Sequence, residues 1–303
     1  MESNHTRFSA FLLLGLSSGE YQIPLVTLFF LINLLTLFGN FTIIEVIRRN
    51  RDLHTPMYFF LGHLSFLDMA SSFIIIPKML ANFFSSKQTI TFVGCLIQLH
   101  FFITFLATEC FLLSAMAYDR YFAICRPLHY CTAMKFTTCS LMVATSWILG
   151  LLYALVHIIL ISRLDFCYSI EVNHYFCDLP PLLNISCSDI FANIVAIFLG
   201  GVLIGYGSFI FTLFSYINII LIILKIQSVK GKYKAFSTCA THLSVFTLFI
   251  STLVAVYFQP PSTHSLKSKR LVSLVYVLLT PLLNPFIYSL RNEDVKRALR
   301  KTV

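Results

Sequence analysis

Apolar residues along this chain come in seven long runs, at approximately 23–47, 57–82, 91–122, 137–161, 190–224, 235–259 and 269–290. Each offers the about 20 residues that a helix needs to cross a bilayer. None alternates with period two, so the runs predict helices rather than barrel strands. The joins carry charge and helix breakers: Arg48-Arg49-Asn50-Arg51, Ser85-Ser86-Lys87, Arg126-Pro127, Lys230-Gly231-Lys232 and Pro260-Pro261. The pattern predicts an all-α integral membrane protein, a seven-transmembrane helix bundle. Residues 1–22 form an N-terminal tail ahead of the 23–290 bundle. Residues 291–303 form a C-terminal tail that reads as a short amphipathic helix. The pattern shows no second domain, internal repeat or low-complexity tract.

Composition removes the soluble alternative. Hydrophobic residues are 57% of the 303 and charged residues 12%, against about 25% charged in ordinary domains. Burying so many apolar side chains in one soluble core leaves too little polar surface, and a lipid solvent removes that difficulty. The net charge of +9 does not point to nucleic acid, because it is unevenly placed. The joins after spans one, three and five and the C-terminal tail hold 15 Lys and Arg residues, and the other side holds 7. Basic loops stay in the cytosol, which predicts a cytoplasmic C-terminus and an extracellular N-terminus. The Lys267–Arg270 cluster is a local exception. Arg7, the run Phe8–Leu16 and Ser17-Ser18 have the outline of a cleaved signal peptide. The run is short and broken by Gly15, so an extracellular tail, with span one as its own insertion signal, is the expectation. Asn4-His5-Thr6 is a glycosylation sequon on that tail, with a weaker one at Asn184-Ile185-Ser186.

Four of the nine cysteines fall on the outer side: Cys95, Cys167, Cys177 and Cys187. An oxidising exterior favours two disulfides, and three pairings are open. His174-Tyr175-Phe176-Cys177-Asp178 has the outline of a metal motif, but a disulfide at Cys177 removes its thiolate.

Ionisable groups inside spans are costly and therefore informative. Asp68 lies about 16 Å, and Glu109 about 15 Å, along their helices from the inner ends of spans two and three. At one depth on two helices, they read as a shared cation or proton site, near Asn40, Ser114 and Asn284. The alternative is that each carboxyl bonds nearby backbone or is protonated. Glu45, near the inner end of span one, is expected to snorkel. Asp119-Arg120-Tyr121 ends span three as either a surface ion pair or a latch released for a partner. Asn284-Pro285-Phe286-Ile287-Tyr288 puts a helix-weakening proline in span seven, as a static kink or a hinge.

Taken together, Gly39-Asn40, Asp68, Asp119-Arg120-Tyr121 and Asn284-Pro285-x-x-Tyr288 resemble class A G-protein-coupled receptors. Longer strings resemble the olfactory receptors in particular. They are Leu53-His54-Thr55-Pro56-Met57-Tyr58-Phe59-Phe60-Leu61, Met116-Ala117-Tyr118-Asp119-Arg120-Tyr121, Lys234-Ala235-Phe236-Ser237-Thr238-Cys239 and Pro281-Leu282-Leu283-Asn284-Pro285, with Tyr288-Ser289-Leu290-Arg291-Asn292. The tail resembles the tetrapod-type class II receptors. The resemblance implies pairs Cys95–Cys177 and Cys167–Cys187. It implies a sodium ion, the sole cofactor expected, at Asp68 and Glu109. It puts Arg120, Tyr216 and the Lys234 region on the side that faces a heterotrimeric stimulatory olfactory G protein, which raises cyclic AMP. It also implies a small-molecule odorant, membrane lipid and an export chaperone as partners, and a plasma-membrane site in the cilia of olfactory neurons. Two positions depart from the family. Phe122 stands where valine is commoner, and Ile250 lacks the ring often assigned to the activation switch.

A ligand pocket is expected in the outer half of the bundle, between spans three, five, six and seven. Phe102, Ile103, Leu106 and Ala107 share a face of span three by their spacing. Leu199, Val202, Leu203 and Tyr206 on span five, Ile250, Val254 and Tyr257 on span six, and Leu274 and Val277 on span seven complete the expected lining. Most are apolar, so the ligand is expected to be small and largely apolar, with one hydroxyl contact from Tyr257. A transporter would want inverted repeats or polar rings, and an enzyme a nucleophile or paired His–acid site. Neither is present in the sequence. His100 and His157 read as hydrogen-bonded packing residues.

Overall fold

The computed structural model describes residues 9–15, 22–85, 87–167, 169–257, 273–291 and 293–302. Asn4, and the side chains of Lys234, Tyr257 and Tyr288, lie outside the described residues. The seven apolar runs fold as the helices of one bundle. They are α1 (Gln22–Arg49), α2 (Pro56–Phe83), α3 (Phe92–Cys125), α5 (Phe136–Ser162), a long fifth span, α9 (Val229–Tyr257) and a last span ending in α10 (Thr280–Arg291). Six are long and apolar enough to cross a membrane, and the seventh is a shorter apolar helix at Tyr276–Ile287. The fifth span is one rod made of α7 (Phe191–Gly200), a π-helical turn (Gly201–Tyr206) and α8 (Gly207–Lys225). Short helices fill the joins: α4 (Pro127–Ala133) and α6 (Leu179–Asn184). The C-terminal helix α11 (Glu293–Thr302) alternates charged residues with the buried Val295 and Ala298.

The caps follow from the sequence at each start. Pro56 and Pro127 open α2 and α4, where their missing N–H has no intrahelical partner to lose. The Thr91 hydroxyl accepts from the Gly94 N–H at 3.1 Å and starts α3. The Asp178 carboxylate accepts from the Leu179 N–H at 2.8 Å and starts α6.

Helix α3 is the axis. In its most apolar stretch 67% of residues are buried, against 11% in the fifth span. The main core packs Leu61, Leu64 and Leu67 of α2 with Leu112, Leu113 and Met116 of α3, and with Val245, Phe246 and Phe249 of α9. Close approach of α5 to α3 depends on Gly150. A Cβ there would sit 2.8 Å from the Thr104 carbonyl oxygen, which is backbone and cannot turn away. Phe38, Leu203 and Phe214 stand exposed on the outside of the bundle. That is costly in water and neutral in lipid, where the surroundings are as apolar as the side chain.

A small sheet lies across one end, in the order β2 (Thr89–Thr91), β1 (Ala10–Leu13), β3 (Glu171–Val172). Strand β1 runs antiparallel to β2, with Phe11 opposite Ile90, and parallel to β3, with Leu13 opposite Val172. Phe11 and Leu13 point inward and are buried, and Phe11 packs on Phe92 and Phe166 at 5.8 and 5.1 Å. The sequence reading gave no strands and treated residues 1–22 as tail. Strands of two to four residues carry too little alternation to be read. They form here because three segments converge on one apolar cluster.

Candidate functional site: a polar centre and an arginine latch

The sheet end is pinned by two disulfides, Cys95–Cys177 and Cys167–Cys187. Cys177 is therefore no metal ligand. Among the described residues no three His, Cys, Asp or Glu side chains group as a metal centre would need. Beside the first disulfide, the Cys177 N–H donates to Gln98 Oε1 at 2.9 Å, and Gln98 Nε2 donates to the Ile74 carbonyl at 3.0 Å. One buried amide thus ties the loop to both α3 and α2.

From this loop a train of rings runs inward. Phe176 meets Phe102 at 5.0 Å, Phe102 meets Tyr276 at 6.0 Å, and Tyr276 meets Phe249 of α9 at 6.0 Å. The Tyr276 hydroxyl also donates to Glu109 Oε2 at 3.4 Å. Phe249 is fully buried and Ile250 only half-buried against the main core. The ring expected one position later is absent, but Phe249 brings an aromatic to the same stretch of the helix.

Below Tyr276 a cleft of ≈ 260 Å³ is lined by Asp68, Glu109, Tyr276, Thr280 and Pro281, among others. Asn284 Nδ2 donates to both oxygens of Asp68, at 3.0 and 3.3 Å. Asn40 Nδ2 donates to the Pro281 carbonyl at 3.0 Å, so α1 closes the floor. Four buried oxygens around this centre have no hydrogen-bond partner among the described residues: Glu109 Oε1, Asn40 Oδ1, Asn284 Oδ1 and Thr280 Oγ1. Buried acceptors are rarely left so. Ser114, expected nearby, instead donates to the Cys110 carbonyl of its own helix at 3.0 Å.

The expected ligand lining divides. Phe102, Ile103, Ala107, Leu274 and Val277 are buried inside the bundle, and Leu106 and Ile250 are half-buried. Leu199, Val202, Leu203, Tyr206 and Val254 are not lining. They stand on the exposed outer face, Leu203 at 71% and Tyr206 at 51%. The reason is local for the fifth span. A π-turn over Gly201–Tyr206 rewinds the backbone, so a face counted with the α-helical period loses its phase there. His157 is a second correction. It is fully buried and packs edge-on against Tyr153 at 4.6 Å, but neither ring nitrogen has a hydrogen-bond partner among the described residues.

At the opposite end, Arg120 Nε donates to Asp119 Oδ2 at 2.8 Å, and a second guanidinium N–H donates to the same oxygen. The Tyr130 hydroxyl of α4 donates to Asp119 Oδ1 at 2.8 Å. Burial and the Asp119 carboxylate push the Tyr130 phenol up, so it stays a donor. Asp119 is fully buried, and both its oxygens are engaged. Buried charge of this kind is strongly destabilising if one partner is removed. Next to this pair, Tyr216 of α8 meets His242 of α9 through a 2.6 Å hydroxyl–Nδ1 hydrogen bond, with the rings stacked at 5.6 Å. The sequence reading picked out Tyr216 and missed His242. The rule that flagged Asp68 would have found it, since His242 is an ionisable residue deep in an apolar span. Tyr121 and Ile124 pack with Tyr216 and Ile223 in one cluster. Glu45 pairs with Arg49 and Arg48 at 3.0 and 3.5 Å at the end of α1.

The architecture is that of the rhodopsin-like receptors. Squid rhodopsin superposes with a TM-score of 0.69 over 93% of this chain and 85% of its own, at 18% identity. The sequence pattern of the olfactory receptor family matches residues 29–303. The chain is 48% identical over 301 residues to olfactory receptor 1G1 of Gorilla gorilla gorilla, covering 99% of this chain and 96% of the relative. It is 47% identical over 302 residues to human olfactory receptor 1F1, covering 99% and 97%. The chain belongs to the olfactory receptor family of G-protein-coupled receptors: a multi-pass membrane receptor and not an enzyme.

Proposed function

We infer that this receptor binds small, mostly apolar volatile molecules in the disulfide-pinned half of the bundle and activates the stimulatory olfactory G protein, raising cyclic AMP. The observation that carries this reading is the train Phe176–Phe102–Tyr276–Phe249. It gives a molecule lodged beside Phe102 a packed route to α9. The disulfide end faces outward and the Arg120 end inward, in the cilia of olfactory neurons, with lipid around the bundle and an export chaperone on the way. An agonist acts only by binding the active state more tightly. Tightening around it moves α9 outward at its Arg120 end, parts Tyr216 from His242 and frees Arg120 from Asp119. The test is cyclic AMP in cells expressing the chain with olfactory G protein, across a panel of small volatile odorants. A dose-dependent rise that Phe102→Ala abolishes, at matched surface level, is expected. A rise indifferent to Phe102 would sink the proposed binding place.

The polar centre fits a sodium ion. Its unpartnered atoms are all oxygens, the donors a hard cation takes, and two carboxylates with neutral oxygens suit a single charge. Asp68 and Glu109 would hold the ion, with Asn40, Thr280 and Asn284 around them; its charge would keep both carboxylates ionised. Replacing N-methylglucamine chloride by sodium chloride is expected to raise the ligand-free thermal midpoint, and Glu109→Gln to cancel that rise. An equal rise in the variant would count against the site.

A further inference from the structure

A second cleft lies at the other end of α2, away from the polar centre. It holds ≈ 230 Å³ between the end of β1, the last turn of α2 and the loop before Cys177. Its walls include Leu13, Met79, Phe83 and Tyr175, with Asn82 and Gln88 as the polar members. Asn82 is 14 residues beyond Asp68 on α2, about 21 Å along the axis, so the two clefts are separate.

Two features make this a built site rather than a surface dent. The walls are fixed: the Leu13 N–H donates to the Gln88 carbonyl at 2.7 Å, and the Leu14 N–H to the Val172 carbonyl at 2.8 Å. The strand edge is thereby held from both sides. Secondly, Asn82 is 7% exposed, and its Nδ2 has no hydrogen-bond partner among the described residues. A buried amide donor left unmade is a cost that native structures avoid. The chemistry of the lining says what would relieve it. The walls are apolar and aromatic, no charged side chain lines the cleft, and the spare group is a donor.

We propose that this cleft is a second ligand site, for small neutral molecules that carry one hydrogen-bond acceptor, such as a ketone, aldehyde or ester, on an apolar body. The acceptor takes the Asn82 Nδ2–H, and the body lies against Met79, Phe83 and Tyr175. Gly15 marks the entrance: a Cβ there would sit 3.5 Å from Tyr175 Cδ1 and 3.8 Å from Gln88 Oε1. A larger side chain at 15 would fill the space without touching α2.

The full-length receptor in lipid nanodiscs is exposed to a short aliphatic methyl ketone bearing a diazirine, and separately to its hydrocarbon analogue without the carbonyl. After illumination, labelled peptides are mapped by mass spectrometry. The expected result is labelling by the ketone within residues 13–15, 79–88 or at Tyr175. The hydrocarbon should label there about tenfold less, the worth of one buried hydrogen bond. Gly15→Leu and Asn82→Leu should each remove this labelling while labelling elsewhere in the bundle persists, which shows that the variants fold. Gly15→Leu alone decides the matter if Asn82→Leu fails to fold. Absence of label from these segments, equal labelling by the hydrocarbon, or labelling that survives Gly15→Leu would overturn the proposal.

Discussion

Arg120→Ala is expected to abolish odorant-evoked cyclic AMP while the receptor still reaches the cell surface in measurable amount. The physical argument has two parts. In the structure Arg120 is spent on Asp119, with two guanidinium N–H groups on one carboxylate oxygen and Tyr130 on the other. Removing the guanidinium leaves a buried carboxylate with Tyr130 alone, so some loss of folded receptor follows. The pair lies at the end of α3, where the helix meets the joins that a G protein would touch, and the partner then lacks the cation it would engage. The two effects separate in one assay, because surface antibody binding reads the first and cyclic AMP per surface receptor reads the second. Tyr130→Phe removes one hydrogen bond to Asp119 and keeps the arginine, so it should raise basal signalling rather than remove it. Normal agonist response in Arg120→Ala, per receptor at the surface, would refute the latch.

Cys177→Ser should have the larger effect on folding. The Cys95–Cys177 bridge closes a loop with a sequence separation of 82. In the chain-entropy picture a loop of that length is worth about 4–5 kcal/mol. Losses of 1–2 kcal/mol already change cellular abundance several-fold, so surface level should fall to below about a tenth. Cys187→Ser opens a loop of separation 20, and its loss should be milder. The Cys177 position also carries the N–H that holds Gln98, and through it Ile74. Loosening there reaches Phe176 and the train of rings. Surface counts by flow cytometry for the two serine variants check the order. Equal counts would show that the pinned loop is held by its packing and not by the covalent bridge.

How much of this was legible beforehand depended on period and length. The spans were readable because a bilayer demands about 20 apolar residues in a row, and no shorter signal competes with that. Asp68 and Glu109 were legible for the same reason, since a carboxyl in such a run stands out. Depth arithmetic also placed them level, and the structure puts both on one cleft. The lining failed where the helix stopped being regular. Phe102, Ile103 and Ala107 came through because α3 is regular there, whereas Leu203 and Tyr206 follow or sit within a π-turn that spacing does not announce. His242, Tyr276 and Gln98 were missed for another reason: each matters through what it meets on another helix. The Gln98 amide, for example, is one polar group among apolar neighbours until Cys177 and Ile74 are brought to it.

The sheet has a consequence for biosynthesis. Strand β1 is made almost first, yet its parallel partner Glu171 lies 159 residues after Leu12. At the usual pace of synthesis that segment emerges about 8–32 s later. Through that interval four helices are laid down while Phe11 and Leu13 have no apolar cluster to enter. The amino-terminal segment is therefore a late fastener, closed only once the loop that carries β3 has been made. Its docking is a natural checkpoint: a chaperone that holds this segment until it finds β3 would be reading, from a few residues at the start of the chain, whether more than half of the molecule has been assembled.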